Sequence, residues 1–246
     1  REYFADSKAI LNVLIYHGNP KQSTKTVGFA KLPSEMTTNT KYHIQAQSQS
    51  VPDDYRVTDS NPKDYYDVEK AVEYARTYAL KRNPDYPAFE NNCTNFVSQC
   101  LAAGGISMTG KETISNTKRL KVSKKSTDWY SVSKQDSKKI KHYGTSSAFI
   151  NTDDFLKYFQ EELGYTLSTF DNTYEGKLKC YQTMASGDVV VLYDSDGSIA
   201  HIGLISGMGD MNAYYCANTN DRLDYGVFNI NSTMYPRFGI LHMSKQ

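Results

Sequence analysis

Cys93 stands where a polar loop meets an apolar helical stripe, in the stretch Asn91-Asn92-Cys93-Thr94-Asn95-Phe96-Val97-Ser98-Gln99-Cys100-Leu101. Thr94 to Ala103 contains no Gly or Pro and puts Phe96, Val97, Cys100 and Leu101 on one helical side, while Gly104-Gly105 supplies a stop. The pattern therefore predicts Cys93 in the first turn of a helix. Unpaired backbone N–H groups and the positive end of the helix dipole favour an anion there, which lowers a thiol pKa and makes the nucleophilic thiolate available. The chemistry on offer is attack on a carbonyl carbon. The competing reading is a buried, inert thiol, because free cysteines are among the most buried residues, so the nucleophile needs a partner.

The chain has five histidines. His17, His43 and His142 lie in polar, turn-rich or charged surroundings, and His242 follows the apolar run Phe238 to Leu241, as in a terminal strand. His201 differs. It belongs to the second arm of a hairpin, Gly187 to Tyr193 and Ile199 to Ile205, joined by a turn at Asp194-Ser195-Asp196-Gly197-Ser198. A further strand, Ala213 to Ala217, ends on Asn218-Thr219-Asn220-Asp221, and a polar side chain there could accept from the His201 ring and hold its tautomer toward a thiol. A hydrogen-bonded core histidine is the plainer alternative.

A cysteine at a helix start, a histidine on an antiparallel strand and a polar residue on the next strand follow the papain-like plan. The segment Asn92-Cys93-Thr94-Asn95-Phe96-Val97-Ser98-Gln99-Cys100-Leu101-Ala102-Ala103-Gly104-Gly105 resembles the signature of the bacterial amidase domain family, type 6, a relative of the NlpC and CHAP cell-wall hydrolases. Three further segments are similar to the same family: Ala71 to Arg76 with Asn83-Pro84-Asp85-Tyr86-Pro87, Ser186-Gly187-Asp188-Val189-Val190, and Ala217 to Arg222. The resemblance covers roughly Tyr66 to Gln246. Two departures stand out: Asn92 replaces the aspartate common before the nucleophile, and Asn218 stands where histidine is at least as frequent.

The resemblance implies an α+β, papain-like fold and a cysteine amidase or peptidase that cleaves an amide bond in peptidoglycan or a related peptide. Cys93 would attack, His201 would take and return the proton, Asn218 would orient the imidazole, and water would release the acyl-enzyme. The oxyanion would be held by the backbone N–H of Cys93 with Asn92, Asn91 or Tyr86 as a second donor. Two other classes share the scaffold: a non-catalytic module binding cell-wall glycan, which the twenty tyrosines invite, and an acyl transferase that passes the acyl group to an amine. Burial in helices and strands is the simpler account of Tyr74, Tyr158, Tyr193, Tyr214 and Tyr215. No cofactor and no metal are implied, and the Asp194-Ser195-Asp196-Gly197 turn lacks the later ligands of a calcium loop.

With 28 basic and 27 acidic residues the net charge is +1, so no global field draws the chain to nucleic acid, and no motif suggests that partner. Lysines do cluster between Lys118 and Lys141, interrupted by Asp128-Trp129-Tyr130, which reads as a solvated insertion or as a patch attracted to an anionic cell wall. No apolar run is long enough to cross a bilayer, and the start at Arg1 fits a mature or excised portion of a secreted, cell-wall-directed monomer. Four cysteines form neither a disulfide framework nor a zinc pattern. Cys93 and Cys100, about 10 Å apart on one helix, cannot bridge. Cys100 reads as core, and Cys180 with Cys216 could be paired or reduced.

Length allows one large domain with an extension. Gln45 to Pro62 has linker composition, which divides the chain into an extension, 1–62, and an amidase domain, 63–246. In the extension, Phe4 to Tyr16 suggests a helix, and Val27 to Leu32 and Lys41 to Ala46 suggest strands. After it, Tyr66 to Arg82 reads as an amphipathic helix with Val68, Ala71, Val72, Ala75 and Ala79 inward. Thr152 to Leu163 reads as another, stopped by Gly164.

Overall fold

The structure, a computed structural model, describes residues 66–209 and 212–243. The helix and strands expected in the extension, and its linker, lie outside them.

Helix α1, Val68–Tyr78, starts at Asp67, whose carboxylate accepts from the Lys70 N–H, and buries Ala71, Val72 and Ala75. Helix α2, Cys93–Ala103, is buried over its first nine residues and ends at Gly104. The two helices are locked end to end. The Asp67 N–H donates to the Gly104 carbonyl at 2.6 Å, and a Cβ on Gly104 would sit 2.6 Å from the Tyr66 ring, so only glycine lets the chains approach this closely.

The lysine-rich stretch is an ordered unit. Strands β1 (Leu120–Ser123), β2 (Ser131–Gln135) and β3 (Lys141–Ser146) form a sheet of order β1-β3-β2, with β1 parallel and β2 antiparallel to β3. Trp129 and Tyr130, between the first two strands, are fully buried. The Trp129 ring packs against Phe149, Tyr158 and Phe159 at centroid distances of 5.1, 6.2 and 5.4 Å, and its indole N–H donates to Ser98 of α2 at 3.2 Å. The insertion is therefore anchored through its aromatic interruption, and its lysines stay in water.

After β3 come the short α3 (Ser147–Ile150) and α4 (Thr152–Lys157), whose last turn, Tyr158–Glu162, is π-helical before Gly164 at φ 76°. The helix expected over Thr152 to Leu163 thus widens by one residue in its final turn.

The remaining elements are β4 (Thr166–Asp171), α5 (Tyr174–Tyr181), β5 (Val189–Tyr193), β6 (Ile199–Gly209), β7 (Asn212–Ala217), β8 (Arg222–Gly226) and β9 (Arg237–His242). The strands make a six-stranded antiparallel sheet of order β4-β9-β5-β6-β7-β8. The expected hairpin closes between Tyr193 and Ile199, with Gly197 at φ 85° in its turn. Both faces of the sheet are covered. Val189, Val191, Ile202, Leu204, Cys216 and Leu241 join the cluster that contains α1, α2 and the aromatics around Trp129. Val190, Leu192, Ile205, Tyr215, Phe238 and Ile240 join a second cluster with Cys180, Met184, Val227 and Ile230. Burial on both sides explains why β5 reads Val-Val-Val-Leu-Tyr without alternation. All four cysteines are reduced, and Cys180 and Cys216 belong to opposite faces, so they do not pair.

Candidate active site

Cys93 is the first residue of α2 and is 8% exposed. Its N-terminal neighbour Asn92 provides no side-chain cap, and the first intrahelical bond runs from the Phe96 N–H to the Asn92 carbonyl at 2.9 Å. The backbone donors of the leading turn thus lack an intrahelical acceptor beside the thiol, an arrangement that can receive an oxyanion. The Cys93 sulfur lies 3.9 Å from Thr94 Oγ1, which shares a 2.7 Å hydrogen bond with Thr152 Oγ1 of α4.

The loop that presents the thiol is clamped by polar side chains. The Asn92 amide donates to Asn218 Oδ1 at 2.8 Å, its Oδ1 accepts from the Phe89 N–H and from Asn95 Nδ2, and its backbone N–H donates to Thr219 Oγ1 at 2.7 Å. Asn95 Nδ2 also donates to the Pro87 carbonyl at 2.8 Å, leaving Asn95 Oδ1 buried and without a partner. Asn218 Nδ2 donates to the carbonyls of Tyr78 and Ala79 at the end of α1. Thr219 holds φ 64°, an unusual conformation for a β-branched residue, and so carries its hydroxyl beneath the Asn92 N–H.

These bonds give Asn218 a different position from the one expected. Its side chain ties the loop before Cys93 to α1, and no hydrogen bond joins it to His201. Period-2 alternation explains why. In the β6/β7 register Leu204 faces Cys216, which puts Asn218 on the α2 side of the sheet. His201 pairs with Leu192, a member of the opposite cluster, while its neighbour Ile202 belongs to the cluster of Cys93. The His201 side chain therefore leaves β6 on the face away from α2, and no hydrogen bond connects it with Cys93. The register shift between Leu192 and Tyr193 leaves Ala200 unpaired just before it and sets this orientation. His201 is buried, its Nε2 has no partner, and burial, with Arg222 nearby, pushes its pKa down to about 4. The imidazole is neutral at neutral pH, and burial opposes its taking up a proton in this position.

Of the oxyanion candidates, the Asn92 side chain is engaged in the clamp, Asn91 is exposed, and Tyr86 stacks on Phe149 with ring centroids 6.0 Å apart. Burial raises the Tyr86 phenol pKa, with Asp85 adding to the effect, so it remains a neutral donor. Thr219, Asn95 and Thr152 were not singled out from sequence. The two asparagines three residues apart at a helix start were the available signal. Among the described residues no group of three or more His, Cys, Asp or Glu side chains could hold a metal ion, and no helix is long and apolar enough to cross a membrane.

Comparison with known proteins agrees with the local signature. A protein of Bacillus subtilis (strain 168) named "Uncharacterized protein YhbB" is 58% identical over 45 residues, 18% of this chain and 14% of its own. A second from the same organism, "Uncharacterized protein YjcM", is 24% identical over 203 residues, 79% of this chain and 42% of its own, so the chain spans less than half the length of either relative. No solved structure matches significantly. The family model described as "Putative amidase domain" matches residues 65–237, from the start of α1 through the clamped thiol loop to the first residue of β9, and the chain belongs to that family.

Proposed function

We propose that this domain hydrolyses an amide bond of bacterial peptidoglycan or a related peptide through an acyl-thioester on Cys93, on a papain-like plan related to the NlpC and CHAP hydrolases. Family membership points to an amidase-type hydrolase acting on C–N bonds. The observation that carries the finer reading is a thiol on the first residue of a helix whose leading N–H groups no side chain caps. Cys93 Sγ forms a bond to the carbonyl carbon while the N–H groups of that turn receive the oxyanion. His201, kept neutral by burial, takes the thiol proton and returns it to the leaving amine. This use requires the segment 199–201, in which Ala200 is unpaired, to turn toward α2 when substrate binds and so to leave the burial that opposes protonation. Water then releases the acid. Asn218 acts by fixing the thiol loop. The basic insertion suits an anionic wall polymer, and such a substrate implies action outside the cell.

The test is release of new amino groups from purified peptidoglycan near neutral pH under reducing conditions. The native chain should release them, and Cys93→Ala should fall by at least about 1,000-fold with its melting temperature preserved. Undiminished release by Cys93→Ala would sink the thiol mechanism. Release by neither protein, with a Cys93 that a thiol probe cannot label, would favour a binding module.

A further inference from the structure

A second set of nucleophile, base and carboxylate lies in a row across three strands on the sheet face opposite α2. Ser168 of β4, His242 of β9 and Asp188, just before β5, are neighbours because β4 pairs with β9 and β9 with β5. In that register Thr166 faces His242, which puts Ser168 diagonally opposite the histidine on the same face. His242 Nε2 lies 3.0 Å from Ser168 Oγ, and His242 Nδ1 lies 3.5 Å from Asp188 Oδ2. Asp188 is 2% exposed and is held by two backbone donors, Ala185 N–H at 2.8 Å and Met243 N–H at 2.9 Å. An ionised carboxylate only accepts, so it fixes the proton on Nδ1 and leaves Nε2 to accept from the serine hydroxyl. Ser168 is half-buried, and β4 is the edge strand of its sheet among the described residues, so a reactant can reach the hydroxyl and find unpaired backbone N–H groups along the same edge.

We propose that Ser168 and His242 form a second acyl-transfer centre, positioned by Asp188, that takes small carboxylic esters. The hydroxyl has a base within hydrogen-bonding reach and the base has an orienting anion, which are the geometric requirements for an activated serine. Small esters suit it because Ile240 and the half-buried Phe170 share its face and an alkoxide leaves more readily than an amine. Ser168 Oγ bonds to the ester carbonyl carbon as its proton passes to His242 Nε2. The C–O bond to the alcohol then breaks, and the imidazolium returns the proton to the departing alkoxide. Water repeats the sequence on the acyl-serine, releasing the acid and restoring the hydroxyl. The centre is independent of Cys93, and its test removes the thiol first.

The full chain carrying Cys93→Ala is treated with a fluorophosphonate probe, the labelled residue is identified by mass spectrometry of its peptide, and hydrolysis of p-nitrophenyl acetate is followed in parallel. We expect the label on Ser168, its disappearance in Ser168→Ala, and a fall of about 100-fold in ester hydrolysis in that variant, whose half-exposed position leaves the fold intact. In Asp188→Asn the kcat for p-nitrophenyl acetate should fall about tenfold or more with KM unchanged, because the imidazole loses the carboxylate that orients it, a split that a purely structural role would not produce. No label on Ser168 of the folded protein, or ester hydrolysis unchanged by Ser168→Ala, overturns the proposal.

Discussion

His201 shows how one strand register decides what a side chain can do. Residue type and strand placement were legible in the sequence, because the Asp196-Gly197 turn and its flanking apolar runs mark the hairpin. The face was not, since a single unpaired residue at Ala200 inverts every following side chain and leaves no mark in composition. Burial has a measurable consequence. With a folded pKa of about 4 against the ordinary value of 6.5, the unfolded chain takes up a proton at this site before the folded one does. The contribution is complete above pH 6.5, declines as pH falls, and is gone below about 4. It amounts to about 3 kcal/mol at most. Urea titrations between pH 7 and 4 should show this decline in the native chain and a shallower one in His201→Leu. Equal slopes would mean that the histidine titrates normally in the folded state.

At the scale of elements, the thiol loop is held by the β7–β8 turn and α1 more than by its own helix. The helix itself was readable from the 3.6-residue spacing of Phe96, Val97, Cys100 and Leu101, all buried in the structure. The clamp was not, because Asn92 and Asn218 are 126 residues apart and a polar residue in a turn gives no hint of its distant partner. The same holds for Trp129, which looked like an interruption of a charged stretch and is the anchor that seats it. The strained Thr219 separates stability from function. Thr219→Gly relieves about 1–2 kcal/mol of backbone strain and loses two hydrogen bonds, from the Asn92 N–H and to the Glu90 carbonyl, of net worth about 1 kcal/mol each. Its melting temperature should therefore stay within a few degrees of the native value, while amide hydrolysis drops about tenfold or more as the Asn92 backbone loses its acceptor. A loss of stability with activity retained would mean that the hydroxyl serves folding alone.

For the molecule as a whole, near-neutral net charge conceals a division. Residues 118–141 carry nine basic and two acidic side chains, while the chain totals only +1. The insertion also touches the approach to the nucleophile: Lys141 Nζ pairs with Asp85 at 2.7 Å, the Tyr143 hydroxyl donates to the Pro84 carbonyl at 3.0 Å, and Pro87 is in turn bonded to Asn95 of α2. If the substrate is the anionic wall polymer proposed above, resting on the lysines would tether it beside the thiol loop, and tethering raises the effective concentration of its scissile bonds without altering the chemical step. The kinetic signature would be selective. Raising ionic strength from about 0.05 to 0.5 M should increase KM several-fold for an anionic polymeric substrate and leave kcat unchanged, because screening dissolves the tether. A short neutral fragment should show neither effect. On the proposed function, replacing Lys121, Lys124, Lys134 and Lys138 with Gln should make the polymer behave like the fragment, so that a wall and its pieces are no longer distinguished.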